Sequence, residues 1–316
     1  MSIIFIVFAL FFSSLVSATS LNKIVVFGDS LSDNGNLYEY MNRELPMSPP
    51  YFKGRFTNGP VWIELLAKTY YPKQSQSHLL DYAFGGAGVS EEVDDDDDGE
   101  EVLFTLRREI DGYLLAHQDK ADDSSLYVVW MGANNYLAVP EQVDEAVSAV
   151  ILGIKHDLVR LVSKGAKYIM VVDLPDLGRI PAAQDFDAVA LLSSLSEKHN
   201  ASLSDMVAQL KREYPDVTWL YFDVNHILDD VMNFPERYGF SNVTDTCYEE
   251  MVYSPSQKSV LNMVSTARPL IHSVNKLVDA CTGHLFFDPV HPTAPAHQIM
   301  AAKTKDILDA AGIQFN

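Results

Sequence analysis

Five short apolar runs recur along the chain, at Lys23–Phe27, Leu79–Phe84, Leu126–Met131, Lys167–Val172 and Val217–Phe222. Helical periodicity fills the intervals, over Val61–Tyr70, Val102–His117, Val143–Val162 and Leu191–Glu213, and a last helix follows Pro295 and runs through Leu308. Strands without polar alternation bury both faces, and a sheet does so when helical crossovers cover it on either side. The pattern predicts an α/β fold, a three-layer α/β/α architecture with about five parallel strands, in one domain.

The N-terminus lies outside that pattern. Ile3 to Val16 is almost continuously apolar, too short for the roughly 20 residues that span a bilayer, and Val16-Ser17-Ala18 resembles a small-residue cleavage site. Residues 1–18 are therefore expected to be a secretory signal peptide and 19–316 the exported chain, although the leader carries no Lys or Arg; a buried N-terminal element is the alternative. Export permits disulfides, and Cys247 and Cys281 are the only cysteines. A bridge would close a loop with 33 residues between them, worth about 3–4 kcal/mol from chain entropy; two buried free thiols are the alternative. No later run is long enough to cross a membrane.

Charge narrows the partners. Lys plus Arg total 23 against 43 Asp plus Glu, a formal charge of −20, which repels phosphate backbones and anionic lipid and argues against nucleic acid. The low-complexity stretch Glu91–Glu101 holds nine acids, including Asp94 to Asp98 in a row. It reads as a solvated loop; as a cation site it does not carry the calcium-loop spacing that combines an interior glycine with a distal glutamate. Residues 240–285, rich in Ser, Asn and Tyr, read as an irregular cap-like insertion whose Tyr248, Met251, Tyr253, Leu261 and Met263 could offer apolar surface or simply pack beneath a loop.

In open parallel sheets, ligands sit where strands end and helices begin. Gly28-Asp29-Ser30-Leu31-Ser32-Asp33 follows the first strand, Gly85-Gly86-Ala87-Gly88 the second, Gly132-Ala133-Asn134-Asn135 the third, and Asp288-Pro289-Val290-His291-Pro292 precedes the last helix. Ser30 suits a nucleophile, His291 its general base and Asp288 the group that orients the imidazole. The Ser30 and Gly86 N–H groups and the Asn134 amide suit an oxyanion hole, with Gly85 as the alternative to Gly86. A second pair, Asp223-Val224-Asn225-His226, has the same spacing, so spacing alone does not choose between them. Ser30 could also be no more than a helix N-cap.

With these blocks in order, the chain resembles the GDSL, or SGNH-hydrolase, family of lipases and esterases. Gly54–Trp62 and Leu174–Gly178 agree as well, and the likeness runs from about Lys23 to the last helix. The blocks look most like those of secreted bacterial lysophospholipase A, phospholipase and acyltransferase members. The resemblance implies a flavodoxin-like sheet, catalysis by Ser30, Asp288 and His291 just before the last helix, no cofactor and no metal. Asn135 stands where the family's third block commonly has Asp, so any role of that acid is absent here.

Other chemistries fit worse. The glycines after the second strand lack the third glycine of a dinucleotide fingerprint, no Gly-x-Ser-x-Gly elbow occurs, and the cysteine spacing does not suit zinc. Asn200-Ala201-Ser202 and Asn242-Val243-Thr244 are glycosylation sequons only in a host that uses them. The expectation is a secreted serine ester hydrolase, extracellular or periplasmic, that releases fatty acid from (lyso)phospholipids through an acyl-enzyme and can act as an acyltransferase. It would meet its substrate at a membrane or micelle surface, and its activity would fall below about pH 6 as an ordinary imidazole protonates. A short-chain or carbohydrate acetyl esterase is the alternative, and a non-catalytic exported binding protein a third reading.

Overall fold

The structure, a computed structural model, describes residues 20–90, 104–248 and 281–316. The leader expected at 1–18, the acidic run at 91–101 and, from the cap-like segment, Met251, Tyr253, Leu261 and Met263 lie outside the described residues.

The five apolar runs form one parallel sheet: β1 (Lys23–Gly28), β2 (Leu79–Asp81), β3 (Ser125–Trp130), β4 (Tyr168–Val172) and β5 (Thr218–Phe222). Their order is 2-1-3-4-5, with every pair parallel. β1 and β3 are buried nearly throughout, which is why they carry no alternating polar residues. The regular part of β2 ends at Asp81, three residues short of the expected Phe84. The Tyr82 and Phe84 N–H groups still donate to the Val26 and Gly28 carbonyls at 2.9 and 3.1 Å, so this edge tracks β1 toward the site.

The longer helices are α1 (Trp62–Tyr70), α2 (Leu106–Ala116), α3 (Val143–Lys164), α4 (Val189–Glu213), α5 (Val224–Asn233) and α6 (Ala294–Ala310). α2 starts later than the periodicity suggests because the Thr105 side chain caps it, accepting from the Arg108 N–H. α5 is absent from the helices expected from the sequence. Its cap is Asp223, whose Oδ1 accepts the His226 N–H at 2.8 Å. The strand order reverses direction at β1, so right-handed crossovers place α1 on one face and α2–α4 on the other. Packing agrees: α1 lies against α6, while α2 packs on α3 and α3 on α4. Among the described residues no helix is long and apolar enough to cross a membrane.

The cap-like segment is less irregular than its composition suggests. Asn242–Thr246 is a strand that pairs in parallel with His284–Phe286. Cys247 and Cys281 form a disulfide, which ties this ladder down five residues before Phe286, where the chain enters the loop holding Asp288 and His291. Tyr248 is buried and stacked on Phe287, with centroids 5.7 Å apart; it packs beneath this loop.

Candidate active site

Strand order fixes the location. The switch point falls between β1 and β3, and Gly28 pairs with Trp130, so the turns that follow carry Ser30 and Asn134 out side by side. The Ser30 turn is held by Ser32 and Asp33 N–H bonds to the Asp29 carbonyl, 3.0 and 2.9 Å. Beneath it the buried Trp62 indole N–H donates to Ser32 Oγ at 3.1 Å, and the Trp62 ring packs edge-on against Trp130.

The loop before α6 brings its histidine to this serine. His291 Nε2 lies 2.7 Å from Ser30 Oγ, and His291 Nδ1 lies 2.7 Å from Asp288 Oδ2. An ionised carboxylate only accepts, so Nδ1 carries the proton and Nε2 of the neutral ring accepts from the serine hydroxyl. Asp288 is fully satisfied: Oδ1 accepts the Val290 and His291 N–H groups at 2.8 and 2.7 Å, and Oδ2 also accepts the Tyr51 hydroxyl at 2.8 Å. All three residues of the relay are buried. The pair Asp223 and His226 is not part of it.

The expected oxyanion donors converge on the same turn. Gly85 donates its N–H to Asp33 Oδ2 at 2.8 Å, whereas the N–H groups of Ser30 and Gly86 donate to no group among the described residues. Gly86 has φ +81°, which favours glycine. Asn134 gives one amide hydrogen to the Ala87 carbonyl at 2.7 Å, which orients the amide and leaves its second hydrogen available. Asn135 is structural: its amide grips both the N–H and the carbonyl of Val89, at 2.9 and 2.8 Å.

Three buried carboxylates organise the rim. Asp33 accepts N–H groups from Gly35, Asn36, Leu37 and Gly85; burial nevertheless pushes its carboxyl up to about 6. Burial likewise raises Asp29 to about 6. Glu109, on α2, accepts the Gly28 N–H at 2.8 Å and the Phe84 N–H at 3.2 Å, and burial holds it well above the usual carboxylate range. Each of those N–H groups lies two residues before an open donor.

The Gly54–Trp62 block docks the histidine loop. Thr57 Oγ1 donates to the Pro292 carbonyl and Asn58 Oδ1 accepts the Ala294 N–H, both at 2.8 Å. The Phe56 ring lies 5.2 Å from the His291 ring, and a Cβ on Gly85 would fall 2.3 Å from Phe56 carbons. Leu174–Gly178 serves the other side: Asn200 bonds both polar backbone groups of Leu174, at 2.9 and 2.7 Å, which engages the amide of the first sequon.

Ser30 and His291 open into a largely apolar pocket. Its walls include Leu137, Leu177, Ile180, Leu228, Met232, Phe286 and Val290. Tyr248 is not among its lining residues, so the described walls come chiefly from the turn after β4 and from α5. Tyr51, Glu109 and this pocket were not singled out from the sequence. For Glu109 a signal existed, because it falls on the same helical face as Leu106, Ile110 and Tyr113. For Tyr51 local sequence offers none.

The GDSL-like lipase/acylhydrolase family model matches residues 24–304. The chain belongs to that family. Family membership makes it a carboxylic ester hydrolase of the GDSL lipase/esterase type. Similar proteins include the phosphatidylcholine-sterol acyltransferase of Aeromonas hydrophila, 31% identical, covering 93% of this chain and 92% of that protein. The secreted effector protein SseJ of Salmonella typhimurium is 28% identical over 93% of this chain and 65% of its own length. The thermolabile hemolysin of Vibrio parahaemolyticus is 25% identical over 90% and 63%. The chain thus spans about two thirds of the latter two.

Proposed function

We propose that the protein is an exported serine acylhydrolase that releases fatty acid from phospholipids or lysophospholipids through an acyl-enzyme on Ser30. His291 removes the serine proton as Oγ attacks the ester carbonyl, and Asp288 holds the ring and stabilises its charged form. The tetrahedral oxyanion is met by the Ser30 and Gly86 N–H groups and the Asn134 amide. The imidazolium then protonates the departing alcohol. Water, or an acceptor alcohol, reverses the sequence to free the acyl group, so hydrolysis and acyl transfer share one intermediate.

The observation that carries this reading is the unbroken contact from Asp288 through His291 to Ser30, 2.7 Å at each step, at the mouth of an apolar pocket. The pocket walls favour an aliphatic acyl chain over a sugar ester, because they offer dispersion contact and few hydrogen-bonding partners. Export is supported by the apolar run at residues 3–16 and by the Cys247–Cys281 bond, which persists in an oxidising compartment. Residues 19–316 would then act as one hydrolase domain.

The test compares wild type with Ser30→Ala on lysophosphatidylcholine and on a short-chain ester. Fatty acid release from the lysolipid that drops by several orders of magnitude in the variant supports the reading. Ser30-dependent cleavage of the short ester alone would move the substrate to small or sugar esters.

A further inference from the structure

The acyl pocket carries one strongly basic group. Among the described residues Arg179 is the only Lys or Arg in its lining, in a chain of formal charge −20. Asp29, Asp176 and Asp229 line the same pocket, so away from the proposed oxyanion donors this guanidinium is the group there that attracts an anion.

Arg179 is displayed from a rigid turn. The Leu177 N–H donates to Ser196 Oγ at 3.0 Å and the Gly178 N–H to Asp176 Oδ1 at 2.9 Å; that oxygen also accepts the Ser193 hydroxyl at 2.7 Å. A Cβ on Gly178 would lie 2.0 Å from Ser193 Oγ, so the turn sits directly on α4 with no slack. Across the pocket Arg179 Nη1 donates to Asp229 Oδ1 of α5 at 2.5 Å, and α5 is itself fixed where Asp173 Oδ1 accepts the Val224 and Asn225 N–H groups. Arg179 Nε and Nη2 donate to no group among the described residues, and the side chain is about one-third exposed.

We propose that Arg179 is the recognition site for the phosphodiester of the lipid substrate, bound on the Nε–Nη2 edge while Asp229 holds the guanidinium plane. This rests on the reading of the pocket as the acyl site. The fork of a guanidinium matches two phosphate oxygens, and here it is oriented before the ligand arrives. Asp229 has two opposed effects, since it fixes the plane and also damps the positive charge that the phosphate meets.

Those two effects make a mere strap between the turn and α5 distinguishable from phosphate recognition. Arg179→Gln and Asp229→Asn both break the ion pair, so a strap predicts similar changes in both. Phosphate recognition predicts opposite changes, because asparagine keeps an acceptor oxygen for Nη1 while removing the competing charge. The experiment measures kcat/KM on monomeric lysophosphatidylcholine and on the monoacylglycerol with the same acyl chain, for wild type and both variants. The expected result is a ratio of lysolipid to monoacylglycerol that falls about 10- to 100-fold in Arg179→Gln and rises about two- to fivefold in Asp229→Asn. Ratios that stay at the wild-type value, or fall together, overturn the proposal while leaving the acylhydrolase reading intact. Inhibition of monoacylglycerol cleavage by millimolar inorganic phosphate that disappears in Arg179→Gln, without a change in the ratio, would assign the site to free phosphate and overturn its lipid role. Failure of wild type to cleave either lipid contradicts the acylhydrolase reading itself.

Discussion

Tyr51 and Asp288, 237 positions apart, meet through a 2.8 Å hydrogen bond from the tyrosine hydroxyl to Oδ2, the carboxylate oxygen that faces His291 Nδ1. Tyr51 also packs edge-on against Phe287, with centroids 5.1 Å apart, so one side chain braces both the carboxylate and the residue before it. Tyr51→Phe keeps the ring and removes the donor. As a positioning residue acting through Asp288, it should lower kcat about 3- to 30-fold with KM little changed, the scale of one charge-assisted hydrogen bond. Unaltered kcat would remove Tyr51 from the account.

Glu109 grips the backbone ahead of both open donors. Glutamine in its place offers one acceptor and turns an N–H toward the second backbone N–H, leaving a buried donor unmet at a cost of about 1–3 kcal/mol. Glu109→Gln should melt earlier than wild type and lose about 10- to 100-fold in kcat, with KM within about twofold. Melting and steady-state kinetics check this together; lost stability with full kcat would make Glu109 structural only.

The two glycines after β2 should respond differently. Gly85→Ala places a methyl into Phe56, which backs the His291 ring; overpacking of this kind costs about 1–3 kcal/mol and disturbs the histidine. Gly86→Ala keeps its N–H and adds the left-handed backbone strain of φ +81°, about 1–2 kcal/mol. Asn134→Ala, which removes a donor, should reduce kcat about 100- to 1000-fold with a small change in melting temperature. Full activity in Asn134→Ala would exclude its amide from the oxyanion site.

Much of this was legible in the sequence, for physical reasons. A strand buried on both faces must be apolar throughout, so β1, β3, β4 and β5 are visible as runs. β2, an edge strand, is half-buried and interrupted by Asp81, and its run overstates the regular strand by three residues. The site blocks were legible because turns at strand ends tolerate few residue types: glycine at φ +81°, a serine on the first turn, a histidine beside a carboxylate. Contacts that cross the fold were not. Tyr51 with Asp288, and Arg179 with Asp229, are pairs made by topology, and nothing in the flanking residues announces them. Asn135 shows the converse, since a position that departs from the family's acid serves to clamp Val89.

Asp173 supplies a pH dependence of stability. It accepts the first N–H groups of α5, and burial outweighs them, pushing its carboxyl up to about 7. A carboxyl whose pKa rises on folding holds its proton more tightly in the folded state. Its contribution is therefore full below about pH 4, the unfolded value, and is lost as pH climbs through about 7. Asp173→Asn lacks that loss, so its melting temperature relative to wild type should increase from pH 5 to pH 8. A difference independent of pH would contradict the assignment.

Ser30, the proposed nucleophile, lies 2.7 Å from the His291 nitrogen that would activate it. Treatment with a fluorophosphonate, followed by intact-mass and peptide mass spectrometry, reads this directly. The expected result is one adduct per chain on the peptide containing Ser30, absent in Ser30→Ala and formed at least about 100-fold more slowly in His291→Ala. An adduct on another residue, or labelling of Ser30 at an unchanged rate without His291, would contradict it.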